Sequence, residues 1–400
     1  MKNIKWHTHL TVWDATFGLL ILLLAIPAVA GVVGRDPAVV STARSQQEAK
    51  AALEKGLPEA GGRVLLVSPH DYLRTLLLPL RRSGALKELV VLLPHDNALT
   101  GGHLEELREF LEKGGIPERD RKTLRLENGS VRGTIEGMPV LVSTLTALPK
   151  QEGEFLVVLD TAFLPAIYKN EVKTPMVGLA IKLARTLASR NVTAGKVLIL
   201  DALGRPDFPL EHGFLPHLLK ELIEDPGSFS RGLPERWAAL AAADHAYFFA
   251  QYPEAVTQYR EYMDLVGRVD PSACYKVALM TLRDLDVAMT LQWINKAAAS
   301  DNLYRRAYGE AAEYLFRKEL YEQAERILKG GLERFPGDPP LATALAALYI
   351  QRAETLRDTG DEQGGLAYLQ MASEVEGASP LIKERLRSLA RPPGGDRPRE

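Results

Sequence analysis

One cysteine, Cys274, is all that the 400-residue chain contains. A disulfide framework within the chain, and any zinc site built from several thiolates, are therefore excluded. Cys274 lies in a stretch of helical pattern, where a lone thiol reads as a small buried apolar group rather than a nucleophile. An excess of one charge is lacking too. The 49 basic residues are matched by 51 acidic ones, for a net charge of −2, so no global field attracts nucleic acid or anionic lipid. Also missing are GxGxxG after a strand, GxxxxGK(S/T), GxSxG and HExxH. Those absences remove the commonest signatures of dinucleotide binding, phosphate-loop chemistry, serine hydrolysis and zinc proteolysis.

What is present is the composition of a folded protein, 46% hydrophobic and 25% charged, at a length suited to two or three domains. Between Asp14 and Arg35, twenty consecutive residues carry no charge: ATFGLLILLLAIPAVAGVVG. At about 1.5 Å of helical rise per residue, this run matches a hydrocarbon core of roughly 30 Å. Trp6 and Trp13 precede it, as interfacial anchors do. Ala28-Val29-Ala30 before Gly31 fits a cleavage site, yet the apolar character continues through Val33 after a long polar leader. The expectation is an uncleaved signal anchor that meets the membrane through residues 15–34. Lys2 and Lys5 precede the segment, whereas Arg35, Arg44 and Lys50 follow it. A single pass through a bacterial inner membrane, with the body in the periplasm, is the localisation this suggests.

Beyond a polar, Ala/Glu-rich stretch that ends at Gly61-Gly62, short apolar runs alternate with segments of helical period. RVLLVSP, ELVVLLP, PVLVSTL, FLVVLD and KVLILDAL read as strands. Helices are predicted over Leu73–Arg82, His103–Lys113, Met176–Ser189 and Leu215–Ile223. Continuous apolar strands alternating with amphipathic helices indicate a parallel sheet covered on both faces. Glu127-Asn128-Gly129, between TLRL and SVRGTI, reads as a hairpin inserted into that pattern.

From Pro234 onward no strand pattern appears. Tyr321, Ala324, Leu328 and Pro336 sit at the spacing of one helix-turn-helix unit, with Ala312 at the small position of its first helix. This is the third of four expected units, and the fourth carries Ala346, Tyr349, Leu369 and Ala372. Ala255, Ala288, Ala324 and Gly365 recur near a 34-residue period, and the region resembles a tetratricopeptide-repeat array. Such arrays hold partner proteins and rarely do chemistry themselves. Tyr252, Tyr259 and Tyr308 are the candidates for anchoring a partner, against the alternative that they belong to the core.

In an open α/β sheet the chemistry sits past the carboxyl ends of the strands. The residues there are Pro69-His70-Asp71, Pro94-His95-Asp96-Asn97, Asp160 and Asp201. Histidine and aspartate suit a hydrolytic divalent metal. Asp71 and Asp96 equally suit the capping of the helices that follow. The stretch from RVLLVSPHDY to LLPHDNALTGG, with FLVVLDTAFLP, TPMVGLAIKLARTL and KVLILDALGRPDF, resembles an arginase–deacetylase-like domain over about residues 63–210. That resemblance implies a strand ending in Asp-x-His-x-Asp, where this chain reads Leu93-Pro94-His95-Asp96-Asn97. Asp160 matches the second motif, but Ala162 stands at its partner position. Losing those carboxylates removes the charge that would offset two divalent cations.

The resulting expectation has five parts. A transmembrane helix (1–35) and a linker (36–61) precede a parallel-sheet, three-layer α/β domain (62–228). Tetratricopeptide-like repeats (234–390) and a disordered tail (391–400) follow. The function expected is a membrane-anchored protein-interaction scaffold without cofactor, its α/β domain a pseudoenzyme. The alternative is a hydrolase of C–N bonds using His70, His95, Asp96, Asp160 and Asp201 with Mn or Zn, for which His95 and Asp160 are the candidate metal ligands.

Overall fold

The computed structural model describes residues 39–389 except 59, 70–80, 82, 83, 96, 171–174, 230 and 231. The segment expected to cross the membrane, the helix expected over Leu73–Arg82 apart from Arg81, and the tail 391–400 lie outside the described residues. Among the described residues, no helix is long and apolar enough to cross a membrane. The sheet is mixed rather than all-parallel. The fold class is therefore corrected to a mixed α/β unit followed by an all-α unit. The chain divides into two compact units, residues 1–258 and 259–400.

The first unit is built on eight strands: β1 (Val39–Ala43), β2 (Arg63–Val67), β3 (Glu88–Leu93), β4 (Arg125–Glu127), β5 (Ser130–Ile135), β6 (Met138–Thr144), β7 (Glu154–Asp160) and β8 (Thr193–Leu200). Their order in the sheet is β1-β8-β7-β2-β3-β6-β5-β4. The six strands from β1 to β6 in that order are parallel, while β5 and β4 are antiparallel additions. Two tight turns explain the additions. Asn128-Gly129 and Glu136-Gly137 hold positive φ in pairs (49° and 77°, 51° and 77°), as two-residue hairpins require.

Both faces of the parallel strands are buried, which is why their sequences are continuous apolar runs. Val64, Leu66, Leu156, Val158, Leu198 and Leu200 pack on one face, in the same core as helix α1 (Gln46–Gly56) and helix α2 (Gly101–Lys113). A short helix α3 (Glu118–Arg121) follows α2, and α4 (Phe163–Asn170) follows β7. Val157, Leu159 and Val197 face the other way, against Leu183 and Leu187 of α5 (Met176–Ser189) and Leu219 and Leu222 of α6 (Leu215–Glu224). Three layers result.

The stretch 36–61, expected as a linker with some helix, contributes β1 as well as α1. Ser45 caps α1 by accepting from Glu48 N–H, and Ala49, Leu53 and Leu57 enter the core at helical spacing. Helix α7 (Glu235–Phe248), expected in the repeat array, packs on α5. Its Trp237 indole donates to Glu221 of α6 at 2.8 Å.

In the second unit the helices are the last part of α8 (Tyr252–Val266), then α9 (Pro271–Arg283), α10 (Val287–Ser300), α11 (Arg306–Phe316), α12 (Tyr321–Arg334), α13 (Pro339–Asp358), α14 (Glu362–Glu374) and α15 (Pro380–Leu389). Aspartates start the turns. Asp270, Asp286, Asp301, Asp338 and Asp361 each accept from a backbone N–H two or three residues ahead. The pairs α9/α10, α11/α12 and α13/α14 pack as hairpins, and α9, α11 and α13 also touch in succession.

Small residues lie where these helices approach closely. Ala324 and Gly365 are buried as the spacing predicts, but Ala288 is exposed. Thr290 takes its place, fully buried, with its hydroxyl 3.0 Å from that of Thr281 and donating to Asp286 O. Tyr259 and Tyr308 are 0% exposed, so their rings form core rather than partner surface. Tyr252 is half-buried and meets Tyr247 edge-on at 6.0 Å.

Candidate functional site

Strand order fixes where a site can form in the first unit. From β2 the chain moves to β3 and β6 on one side, then returns to β7 and β8 on the other. Counted from β2, this is the 3-2-1-4-5 order of a doubly wound sheet, and the crevice lies where direction reverses, between the carboxyl ends of β2 and β7. Ser68 follows β2 directly, and Asp160 closes β7.

These two residues meet. The Ser68 hydroxyl donates to Asp160 Oδ2 at 2.8 Å, and both residues are buried, at 1% and 2% exposure. Asp160 Oδ1 accepts from Ala162 N–H at 2.9 Å, and Oδ2 accepts from Arg205 Nη2 at 3.1 Å. Arg205 comes from the chain after β8 and is only partly covered. Next to this group, the Thr161 hydroxyl donates to Leu200 O at 3.2 Å and accepts from Ala202 N–H at 2.9 Å, tying the end of β7 to that of β8. Asp201 caps the 3-10 turn Ala202–Gly204 through Leu203 N–H at 3.0 Å, and accepts from Arg44 Nε, beyond β1, at 2.8 Å. Side chains thus join the ends of β1, β8, β7 and β2.

Burial pushes the Asp160 carboxyl up to about 7. The Ala162 N–H and the Ser68 hydroxyl pull it down, while the charges of Asp207 and Asp201 push it further up. Desolvation lowers the pKa of Arg205, and Asp207 opposes that. At neutral pH, Asp160 is therefore poised between an acceptor and a neutral donor.

Among the described residues, those singled out for metal chemistry do not form one group. Asp160 and Asp201 end neighbouring strands. His95 follows β3, on the far side of β2, so its strand is roughly 10 Å from that of Asp160. Its ring lies 5.4 Å from the ring of His103, which is held by Thr100 through Nδ1. His70 and Asp96 lie outside the described residues. Among the described residues, no three His, Cys, Asp or Glu side chains are placed to hold a metal ion.

Reading by residue type missed Ser68, Thr161, Arg205 and Arg44. Ser68 and Thr161 had a visible signal, since Ser68 is the first and Thr161 the second residue past a continuous apolar run. The two arginines had none. No protein-family model matches the chain, and no curated protein sequence matches it.

Proposed function

We propose that this protein is a non-enzymatic adaptor whose helical unit holds an extended or helical segment of a partner protein, the α/β unit serving a structural role. The observation that carries this reading is the succession of hairpins α9/α10, α11/α12 and α13/α14, with their first helices side by side. Stacks of this kind bind through an extended helical surface. The spacing around Tyr321, Ala324 and Pro336, which resembles a tetratricopeptide repeat, supports the same reading.

Gly309 supports it independently. It lies inside α11, and a Cβ added there would meet nothing within 4 Å. An interior helical glycine costs about 1 kcal/mol relative to alanine, and among the described residues no side chain approaches the place where a Cβ would stand. A bare spot of this kind lets another chain approach the helix closely. Two variants test the idea in the full-length chain: Gly309→Ala and Gly309→Arg. The alanine should raise the melting temperature. The arginine should leave the fold intact and abolish retention of the proteins that cross-link to the wild type. Retention of the same proteins by Gly309→Arg would defeat the reading.

A further inference from the structure

We propose that the chain forms a two-fold dimer in which strand β4 pairs antiparallel with β4 of a second copy, centred on Leu126. β4 is the last strand of the sheet, and Arg125, Leu126 and Glu127 are all exposed. Across the Asn128-Gly129 turn, Glu127 faces Ser130 and Leu126 faces Val131. A two-residue hairpin closes on a hydrogen-bonded pair, here Glu127 and Ser130. Alternation along the ladder then turns the N–H and C=O of Leu126 away from β5, toward the open edge. Two Leu126 residues related by a two-fold axis would exchange both bonds. The next outward carbonyl, that of Leu124, already accepts from Arg108 Nη2 at 2.7 Å, which limits the open stretch to the segment around Leu126.

The charges of β4 suit a second copy of β4. In this register Arg125 lies opposite Glu127 of the second copy, and Glu127 lies opposite its Arg125. Within one chain Arg125 faces Arg132 across the hairpin, an unfavourable pair of like charges. Arg125, Glu127 and Arg132 form no ion pair among the described residues. Glu127 of the second copy would supply the missing partner for Arg125. On the opposite face Leu126 would meet its own copy, and Phe110 projects from α2, the helix that packs beside β4. Both are large apolar side chains left open, at 38% and 41% exposure.

Charges on a short edge strand also serve simply to keep it solvated. That reading predicts a monomer for every charge arrangement. Sedimentation of the full-length chain over a hundredfold concentration range separates the two. The wild type should dimerise. Arg125→Glu and Glu127→Arg each oppose like charges twice, so each should weaken the dimer by about tenfold or more. The double variant restores both pairs and should dimerise like the wild type. Mixing the two single variants should give a mixed dimer, which a misfolded chain cannot form. A monomeric wild type, or single variants that dimerise as well as it does, would overturn the proposal.

Discussion

Ser68 and Asp160 end two neighbouring strands that the chain reaches by opposite crossovers, and the Ser68 hydroxyl donates to the Asp160 carboxylate at 2.8 Å. The bond sits where the order of the parallel strands reverses, between β2 and β7. It is one of the contacts that lower the Asp160 carboxyl pKa against the larger effect of burial.

The pH dependence follows from that burial. The Asp160 carboxyl titrates near 7 in the folded protein, above its value of about 3.9 in an unfolded chain. Between those two values the folded state binds more protons than the unfolded one, so stability falls as pH rises from about 4 toward about 7. Above the folded value the carboxyl is ionised in both states, and its contribution has been lost. Asp160→Asn keeps the size and removes the titration. Denaturant unfolding at about pH 5 and about pH 8 should show the wild type losing a few kcal/mol relative to the variant. A difference between the two proteins that does not change with pH would contradict the assignment.

Arg44 and Asp201 form an ion pair with unequal consequences for its members. Arg44 is half-exposed, so Arg44→Ala should cost less than about 1 kcal/mol. Asp201 is buried and also caps the turn after β8 through Leu203 N–H. Asp201→Ala should cost about 1–2 kcal/mol from the lost cap alone. Equal losses on urea unfolding would mean that the pair, rather than the cap, dominates.

How much of this was legible in the sequence depended on whether the information is local. β2, β3, β6, β7 and β8 were readable because burial on both faces writes an uninterrupted apolar run. Helix α5 was readable in its place, near Met176–Ser189. The turn at Asn128-Gly129 announced its hairpin through residues that tolerate positive φ. β1 was missed because VVSTA is short and follows a segment of different character, although Ala49, Leu53 and Leu57 already marked the buried face of α1. The Ser68–Asp160–Arg205 group was illegible for a different reason. Which strands become neighbours is decided by crossovers, and no spacing in the sequence states that β7 lies beside β2. Searching for histidine and aspartate as ligands therefore found Asp160 and Asp201 but not Ser68 or Arg205, which bond to Asp160. In the helical unit the period was legible, while the exact small residue was not. Thr290 packs where Ala288 was expected, because its hydroxyl finds partners in Thr281 and Asp286.

The close approach of α12 to its neighbours gives a last prediction, one that separates packing from surface in the helical unit. Gly331 lies in α12, and a Cβ built there would stand 2.9 Å from Tyr308 Cγ and 3.1 Å from Leu341 Cδ1. Tyr308 cannot yield easily. It is fully buried, its hydroxyl donates to Asn295 Oδ1, and its ring meets Phe335 at 6.2 Å. Helix propensity alone favours alanine over glycine by about 1 kcal/mol. Overpacking a filled core costs roughly 1–3 kcal/mol and acts in the opposite direction. The contact should prevail, so Gly331→Ala should lower stability. Pairing it with Tyr308→Ala should then recover part of the propensity gain, because the obstructing ring is gone. Thermal unfolding of the two single variants and the double variant measures that coupling. Strictly additive effects would show that α12 does not press on Tyr308 at this point.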